Sequence, residues 1–295
     1  MSLKCGIVGL PNVGKSTLFN ALTAAGIDAE NFPFCTIEPN HGVVPVPDDR
    51  LNKISTIVNP LSATPTTTEF VDIAGLVKGA NKGEGLGNQF LSHIRETQAI
   101  IHVVRCFEDK NISHVHDEID PIVDLEVVET ELLLADIETV SNAKDKLERV
   151  SKTGDKSAAS QLEKLEILAK DMGEGILGRD STMRVYEDEF KDLQLITLKP
   201  CLYVANVEEP KTTNLLLKEL QKYADSKGSR VLALCNQIEA EIAELETEER
   251  LEMLKHMEMD EPGLNKLIRE SYSMLNLITF FTAGPKEVRA WNLKK

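Results

Sequence analysis

Gly9-Leu10-Pro11-Asn12-Val13-Gly14-Lys15-Ser16 decides how the rest of this chain is read. The octet fits G-x-x-x-x-G-K-[ST], a loop whose backbone N–H groups converge on a phosphate. Gly9 and Gly14 permit the tight loop and the close approach of backbone to an anion. Lys15 brings an ammonium between the β- and γ-phosphates, and the Ser16 hydroxyl is a hard oxygen ligand for Mg²⁺. Before the octet, Lys4-Cys5-Gly6-Ile7-Val8 reads as a short buried strand; after it, Thr17-Leu18-Phe19-Asn20-Ala21-Leu22 opens a helix. Phosphate then sits on a helix N-terminus, with the macrodipole in its favour. Asn12, Val13, Gly14, Lys15, Ser16 and Thr17 are the expected phosphate-binding residues, with Lys15 also catalytic.

Outward from the loop, strands alternate with helices: Cys5–Gly9, a helix from Ser16, Thr68–Asp72, a Gly-rich segment, a helix around Asn88–Thr97, and Ile100–Cys106. That order predicts a doubly wound α/β sheet binding its ligand at the carboxyl ends of the strands. Phe70-Val71-Asp72-Ile73-Ala74-Gly75 ends one such strand with D-x-x-G. Asp72 is expected to hold Mg²⁺ through water, and the Gly75 N–H to contact the γ-phosphate. Between the two motifs, in 31–40, Thr36 is the candidate second Mg²⁺ ligand, on a loop that orders when a γ-phosphate is present.

The base is read further on. Strand 200–205 ends in Asn206-Val207-Glu208-Glu209, where guanine-binding relatives carry N-K-x-D. Val207 stands in place of that Lys, and Glu209 in place of the Asp that takes two hydrogens from guanine. The extra methylene of Glu209 misplaces the carboxylate, and a site that loses such a pair loses much of its discrimination. The Asn206 amide can pair with adenine N6/N7, the edge chemistry by which Asn reads adenine elsewhere. ATP is therefore the expected ligand. A later strand, 230–235, delivers Cys235-Asn236-Gln237 to the same rim, where guanine binders present S-A-K.

Composition narrows the class. The 295 residues are 42% apolar, enough for a full core, and no apolar run reaches the length of a membrane span. Net charge is −15, which argues against wholesale nonspecific nucleic-acid binding. Lys78, Lys82, Arg95 and Arg105 fall near the site and form a candidate local basic patch, or are ordinary solvated charges. The five cysteines are scattered without a C-x-x-C pair, as expected of reduced thiols in a cytoplasmic protein with no leader and no membrane partner.

On these residues the chain resembles the YchF/Obg-like ATPase family, a branch of the translation-factor-related P-loop GTPases. The resemblance rests on 9–17, 31–40, Asp72-Ile73-Ala74-Gly75-Leu76-Val77-Lys78-Gly79-Ala80 and Gly83-Glu84-Gly85-Leu86-Gly87-Asn88-Gln89-Phe90-Leu91. It continues through His102-Val103-Val104-Arg105-Cys106-Phe107, 206–209 and Thr282-Ala283-Gly284-Pro285-Lys286-Glu287-Val288-Arg289-Ala290-Trp291. It implies slow, Mg²⁺-dependent hydrolysis of ATP in preference to GTP, and association with ribosomes. Leu76 follows D-x-x-G where Ras-type GTPases carry the Gln that orients water, and an apolar side chain cannot hydrogen-bond water. The resemblance implies a histidine on a loop after strand 100–106; here that is His114, with His93 as rival.

The expected organisation is a nucleotide-binding unit in two parts, 1–123 and 198–278, split by a helical coiled-coil insertion, 124–197. Within the insertion Ala158, Leu162, Leu165, Ala169 and Met172 recur at spacings of four and three, and Leu133, Ile137, Val140 and Leu147 form a looser stripe. Thr153-Gly154-Asp155 punctuates the two into a hairpin. The last segment, 279–295, resembles the opening of a β-grasp TGS domain; it is too short for a core of its own, so it is either part of a fragment or pairs with something else. The fold class is thus α/β: a doubly wound P-loop NTPase sheet with a helical insertion and the start of a TGS domain. The expected protein is a monomeric ATPase switch with ATP and the ribosome as partners and RNA as a further candidate. The alternatives are a GTPase with relaxed base choice and a nucleotide-gated ribosome- or RNA-binding module with incidental hydrolysis.

Overall fold

The computed structural model describes residues 3–27, 40–73, 86–109, 111–113, 115 and 118–295. Among the described residues the main sheet has six strands in the order β2-β4-β1-β5-β6-β7. These are β1 (Lys4–Val8), β2 (His41–Pro45), β4 (Thr67–Asp72), β5 (Ala99–Arg105), β6 (Cys201–Asn206) and β7 (Arg230–Leu234). All neighbours pair in parallel except β2, which runs antiparallel to β4 at one edge. Ala-Ile-Ile-His-Val-Val-Arg of β5 is buried at every position, apolar except at His102 and Arg105, as in a strand covered on both faces. β2 instead alternates buried and half-buried residues, as an edge strand does.

The chain leaves β1 toward β4 on one side and continues to β5 on the other, so the strand order reverses at β1. Ligands of open α/β sheets bind at such a switch point, and the phosphate loop lies there, between β1 and α1 (Lys15–Ile27). Because the strands are parallel, Asp72, Arg105, Asn206 and Leu234 end their strands on the edge that carries this loop.

The insertion is a helical arm. Asp120 caps α4 (Pro121–Ser151) by accepting from the N–H groups of Ile122 and Val123, with Pro121 in the first turn, where its missing donor costs nothing. The arm turns at Gly154, whose φ of 90° suits glycine, and Asp155 caps α5 (Lys156–Gly173). Val140, Leu165, Leu168 and Met172 form the seam together with Leu133, Phe190, Leu195 and Leu198 from the arm's root. Asp136, fully buried on α4, fastens that root by accepting from Ile196 N, Thr197 N and Thr197 Oγ1 at 2.9, 2.7 and 2.7 Å.

The tail does pair with the rest of the chain. β8 (Leu277–Ala283) and β9 (Glu287–Lys294) form a hairpin, and β9 also pairs in parallel with β3 (Ser62–Thr64). Val288 and Ala290 pack on Leu51 of α2 (Asp49–Val58), so seventeen residues borrow a core they could not build alone. Among the described residues no helix is long and apolar enough to cross a membrane, and Cys5, Cys106, Cys201 and Cys235 are free thiols.

Candidate functional site

The loop is shaped by its glycines and held by asparagines. Asn12 and Gly14 adopt positive φ, 61° and 98°. A Cβ on Gly14 would meet the Asn206 Nδ2 at 2.4 Å, so the position needs glycine for space as well as for conformation. Asn206, at the end of β6, donates from Nδ2 to the Val13 carbonyl at 3.0 Å and accepts at Oδ1 from the Asn236 N–H at 3.2 Å. Asn236 opens α7 (Asn236–Glu244) and donates in turn to the Gly14 carbonyl at 3.1 Å. Asn206 thus has both ends of its amide engaged with neighbours and spends its first hydrogen on the loop; any base contact uses its second hydrogen or second lone pair.

Ser16 donates to the Asp72 carboxylate at 3.0 Å, which joins the loop to the end of β4. The other Asp72 oxygen, Oδ1, is buried without a hydrogen-bond partner among the described residues. A hydroxyl and a carboxylate within one hydrogen bond, one with an oxygen to spare, are the hard donors Mg²⁺ takes. Among the described residues no group of three or more His, Cys, Asp or Glu converges as a metal cage, and Mg²⁺ needs none when phosphate supplies the remaining oxygens. Lys15 is buried, 6% exposed, and its Nζ donates to the Leu10 carbonyl at 2.7 Å. Burial pushes its pKa down to about 8 against the pull of Asp72. Its ammonium is therefore under-solvated beside the place where a polyphosphate would sit.

These residues border a cleft of about 800 Å³ lined by Asn12, Gly14, Lys15, Ser16 and Thr17 on one side and by Asn206, Val207, Cys235 and Asn236 on the other. A larger hollow of about 1030 Å³ beside α2 and α9 (Gly263–Met274) is a different case. Asp48 pairs there with Arg50 and Glu261 with Arg269, and the hollow carries none of the phosphate-loop residues.

Several expectations change. Glu209 is exposed and absent from the cleft lining, while Glu208 lines it. The reason is Val207, whose side chain turns into the apolar cluster with Cys106 and Ala205 and whose N–H bonds the Leu234 carbonyl at 2.9 Å. Arg105 is no part of a surface patch: it is 1% exposed and donates to the carbonyls of Phe107, Asp109 and Ile112. It pins the segment after β5 from inside, and Ser113 of that segment accepts from the Asn12 amide at 3.1 Å. Arg95 lies at the far end of α3 (Leu86–Glu96), bonded to Thr139 of the arm. His93 is exposed in the last turn of that helix, whose end is held by Lys199 at the opposite edge of the sheet. It is thereby removed as a rival to His114. His102, inside β5, is held down at about 3 by burial and stays neutral. Thr36, Gly75, Lys78, Lys82 and His114 lie outside the described residues. Sequence alone gives Arg105 as one cation of a candidate patch and Asn236 as one residue of a rim, not the buried contacts they make; their strand-end positions next to the loop's partners were the available signal.

Sheet order, switch-point loop and strand-end residues together define a P-loop nucleotide-binding protein of the GTPase-like class. Residues 4–135 match the family model described as 50S ribosome-binding GTPase. The chain is 54% identical over 295 residues to the ribosome-binding ATPase YchF of Escherichia coli O157:H7, covering 99% of this chain and 81% of that one. It is 50% identical to the ribosome-binding ATPase YchF of Bacillus subtilis, covering 100% and 82%. A solved structure of the Schizosaccharomyces pombe YchF GTPase superposes with a TM-score of 0.87 at 36% identity, over 99% of this chain and 81% of that one. The chain belongs to the YchF family.

Proposed function

We propose that this protein is a Mg²⁺-dependent ATPase that prefers ATP to GTP and acts as a slow, nucleotide-dependent switch associating with ribosomes in the cytoplasm. The observation that carries the reading is the Ser16–Asp72 contact at 3.0 Å beside a buried Lys15. Hydroxyl, carboxylate and ammonium meet at the mouth of one loop, as metal-assisted phosphoryl transfer requires. The chain's parts then take these roles. The loop N–H groups of 12–17 hold the β-phosphate; Lys15 spans the β- and γ-phosphates and stabilises charge developing in transfer. Ser16 and Thr36 would ligate Mg²⁺, with Asp72 behind them, and Gly75 would sense the γ-phosphate. When bound, Mg²⁺ neutralises charge on the phosphates. Asn206, Val207 and Cys235 form the base wall, with Glu209 just beyond it, three residues past the end of β6. His114, carried beyond the segment that Arg105 and Asn12 hold, would orient water, since Leu76 cannot.

The nucleotide unit is read as 1–123 with 198–278, the arm as 124–197, and 279–295 as the start of a TGS-like segment. Ribosome association and the name ATPase come from the bacterial relatives' names. A GTPase with relaxed base choice is the second reading, favoured by the name of the fission-yeast relative and by the family description. The test is phosphate release by the purified chain from ATP and from GTP, with Mg²⁺ and with EDTA, alongside cosedimentation with ribosomes in ATP and in ADP. Mg²⁺-dependent release that is faster from ATP, with ribosome binding that differs between the nucleotides, is expected. Equal or faster release from GTP favours the second reading, and no release from either overturns both.

A further inference from the structure

Two consecutive peptide units of the phosphate loop have their carbonyls held by asparagine side chains. Asn206 takes the Val13 carbonyl and Asn236 the Gly14 carbonyl, at 3.0 and 3.1 Å. In a planar trans peptide the C=O and the N–H of one unit point in opposite directions. Holding the Val13 carbonyl therefore aims the Gly14 N–H, and holding the Gly14 carbonyl aims the Lys15 N–H, away from the asparagines. The Gly14 carbonyl also accepts from Leu18 N at 3.0 Å in the first turn of α1, so Asn236 supplies the second of two donors that fix its plane. We propose that Asn236 is a positioning residue for the phosphate loop, orienting the Lys15 N–H toward the β-phosphate of a bound nucleotide. This rests on the nucleotide reading above.

Three further observations support it. First, Asn236 is itself held, because its backbone N–H donates to the Asn206 Oδ1, so the two amides form one strap from β6 through α7 to the loop. Second, the strap lies directly on the loop: a Cβ on Gly14 would come within 2.4 Å of the Asn206 Nδ2 and 3.0 Å of the Asn236 Nδ2. Third, Asn236 is 1% exposed and its Oδ1 is buried with no hydrogen-bond partner among the described residues. An unpaired buried acceptor destabilises a fold, so an alanine here would serve stability as well or better. A residue that costs stability and touches the loop is explained by the loop's task.

The experiment is equilibrium binding of Mg²⁺-ATP, Mg²⁺-ADP and Mg²⁺-GDP to the full chain and to Asn236→Ala, with the thermal midpoint of each chain measured without nucleotide. Loss of one hydrogen bond predicts Kd values about fivefold weaker for every nucleotide that the wild type binds. The factor should be similar for each, because the β-phosphate is common to all, and the midpoint should be unchanged or higher. If Asn236→Ala does not fold, Asn236→Ser, too short to reach the Gly14 carbonyl, carries the same comparison. Unchanged affinity overturns the proposal. So does a loss confined to the adenine nucleotides, which assigns Asn236 to the base. A lower midpoint in parallel with weaker binding overturns it too, as a merely structural role. A wild-type chain that binds no nucleotide overturns the ATPase reading itself, and this inference with it.

Discussion

The nucleotide cleft and the root of the helical arm share strand β6, and they use polar groups in opposite ways. At the arm root, Glu129 is buried and accepts from Arg179, from Tyr203 Oη at 2.9 Å and from Tyr223 Oη at 3.1 Å. Asp136 beside it accepts from two N–H groups and a hydroxyl. Both of these carboxylates are bonded by protein donors at each oxygen. In the cleft, Lys15 leans on its own loop's carbonyl, one Asp72 oxygen has no partner among the described residues, and Asn206 and Asn236 retain bonding capacity. Saturation gives permanence, because a buried charge stripped of a partner is costly. Incomplete pairing leaves groups ready to exchange a weak internal contact for a ligand.

The largest effect should come from the saturated end. Glu129→Ala leaves Arg179 buried and unpaired and should cost about 3–5 kcal/mol of unfolding free energy in a urea titration. ADP affinity of the folded chain should hardly change; a comparable loss of affinity would break the distinction between the two regions. Lys15→Ala removes the charge that faces the transferred phosphoryl and should lower ATP turnover about 100- to 1000-fold. Stability should not fall with it, since a poorly solvated cation is removed, and a large drop in the thermal midpoint would contradict that.

The pH dependence is smaller and its sign follows from Lys15. Its folded pKa, about 8, lies below the ordinary lysine value, so between the two the folded chain binds fewer protons than the unfolded one. Burying the ammonium costs stability at neutral pH, and that cost is relieved as pH rises through about 8 toward the ordinary lysine range. Polyphosphate binding runs the other way because it favours the ammonium. ADP affinity should be flat near neutrality and fall by up to about tenfold per pH unit above the folded pKa, until the pKa of the complex is reached. Lys15→Met should bind more weakly with no such slope; a wild-type curve equally flat would show that Lys15 is not the group concerned. The smallest effect belongs to the surface. The exposed Arg50 pairs with the half-buried Asp48 at 2.7 Å, and Arg50→Ala should shift stability by less than about 1 kcal/mol.

What could be read in the sequence was what repeats or punctuates. The run 4–8, the glycines of the loop and the strand-ending Asp72 and Asn206 announced themselves by period and motif, and the sheet has them at those places. The arm's stripe was legible for the same reason at Leu133, Val140, Leu165 and Met172, whereas Leu168 joins the seam off the expected spacing and Ala158 and Leu162 fall outside that cluster. β2 and β3 were not foreseen: one is a short edge strand, and the other consists of three residues that pair only because β9 reaches them. In the site, sequence named residue types but not what they face. Arg105 read as a surface cation because nothing local to it reveals that three carbonyls return to it inside the fold. Asn236 read as one residue of a rim because its partner, Gly14, is 222 residues away. Glu208 and Glu209 could not be told apart until Val207 turned inward.

Whether this site prefers adenine on a phosphate loop typical of GTPases is decided by displacement of a fluorescent ATP analogue by ATP and by GTP, each with Mg²⁺. ATP should displace the analogue at about tenfold or more lower concentration than GTP, the margin of one base-edge contact. Equal displacement, or stronger displacement by GTP, would contradict it and return the chain to the guanine-reading members of its class.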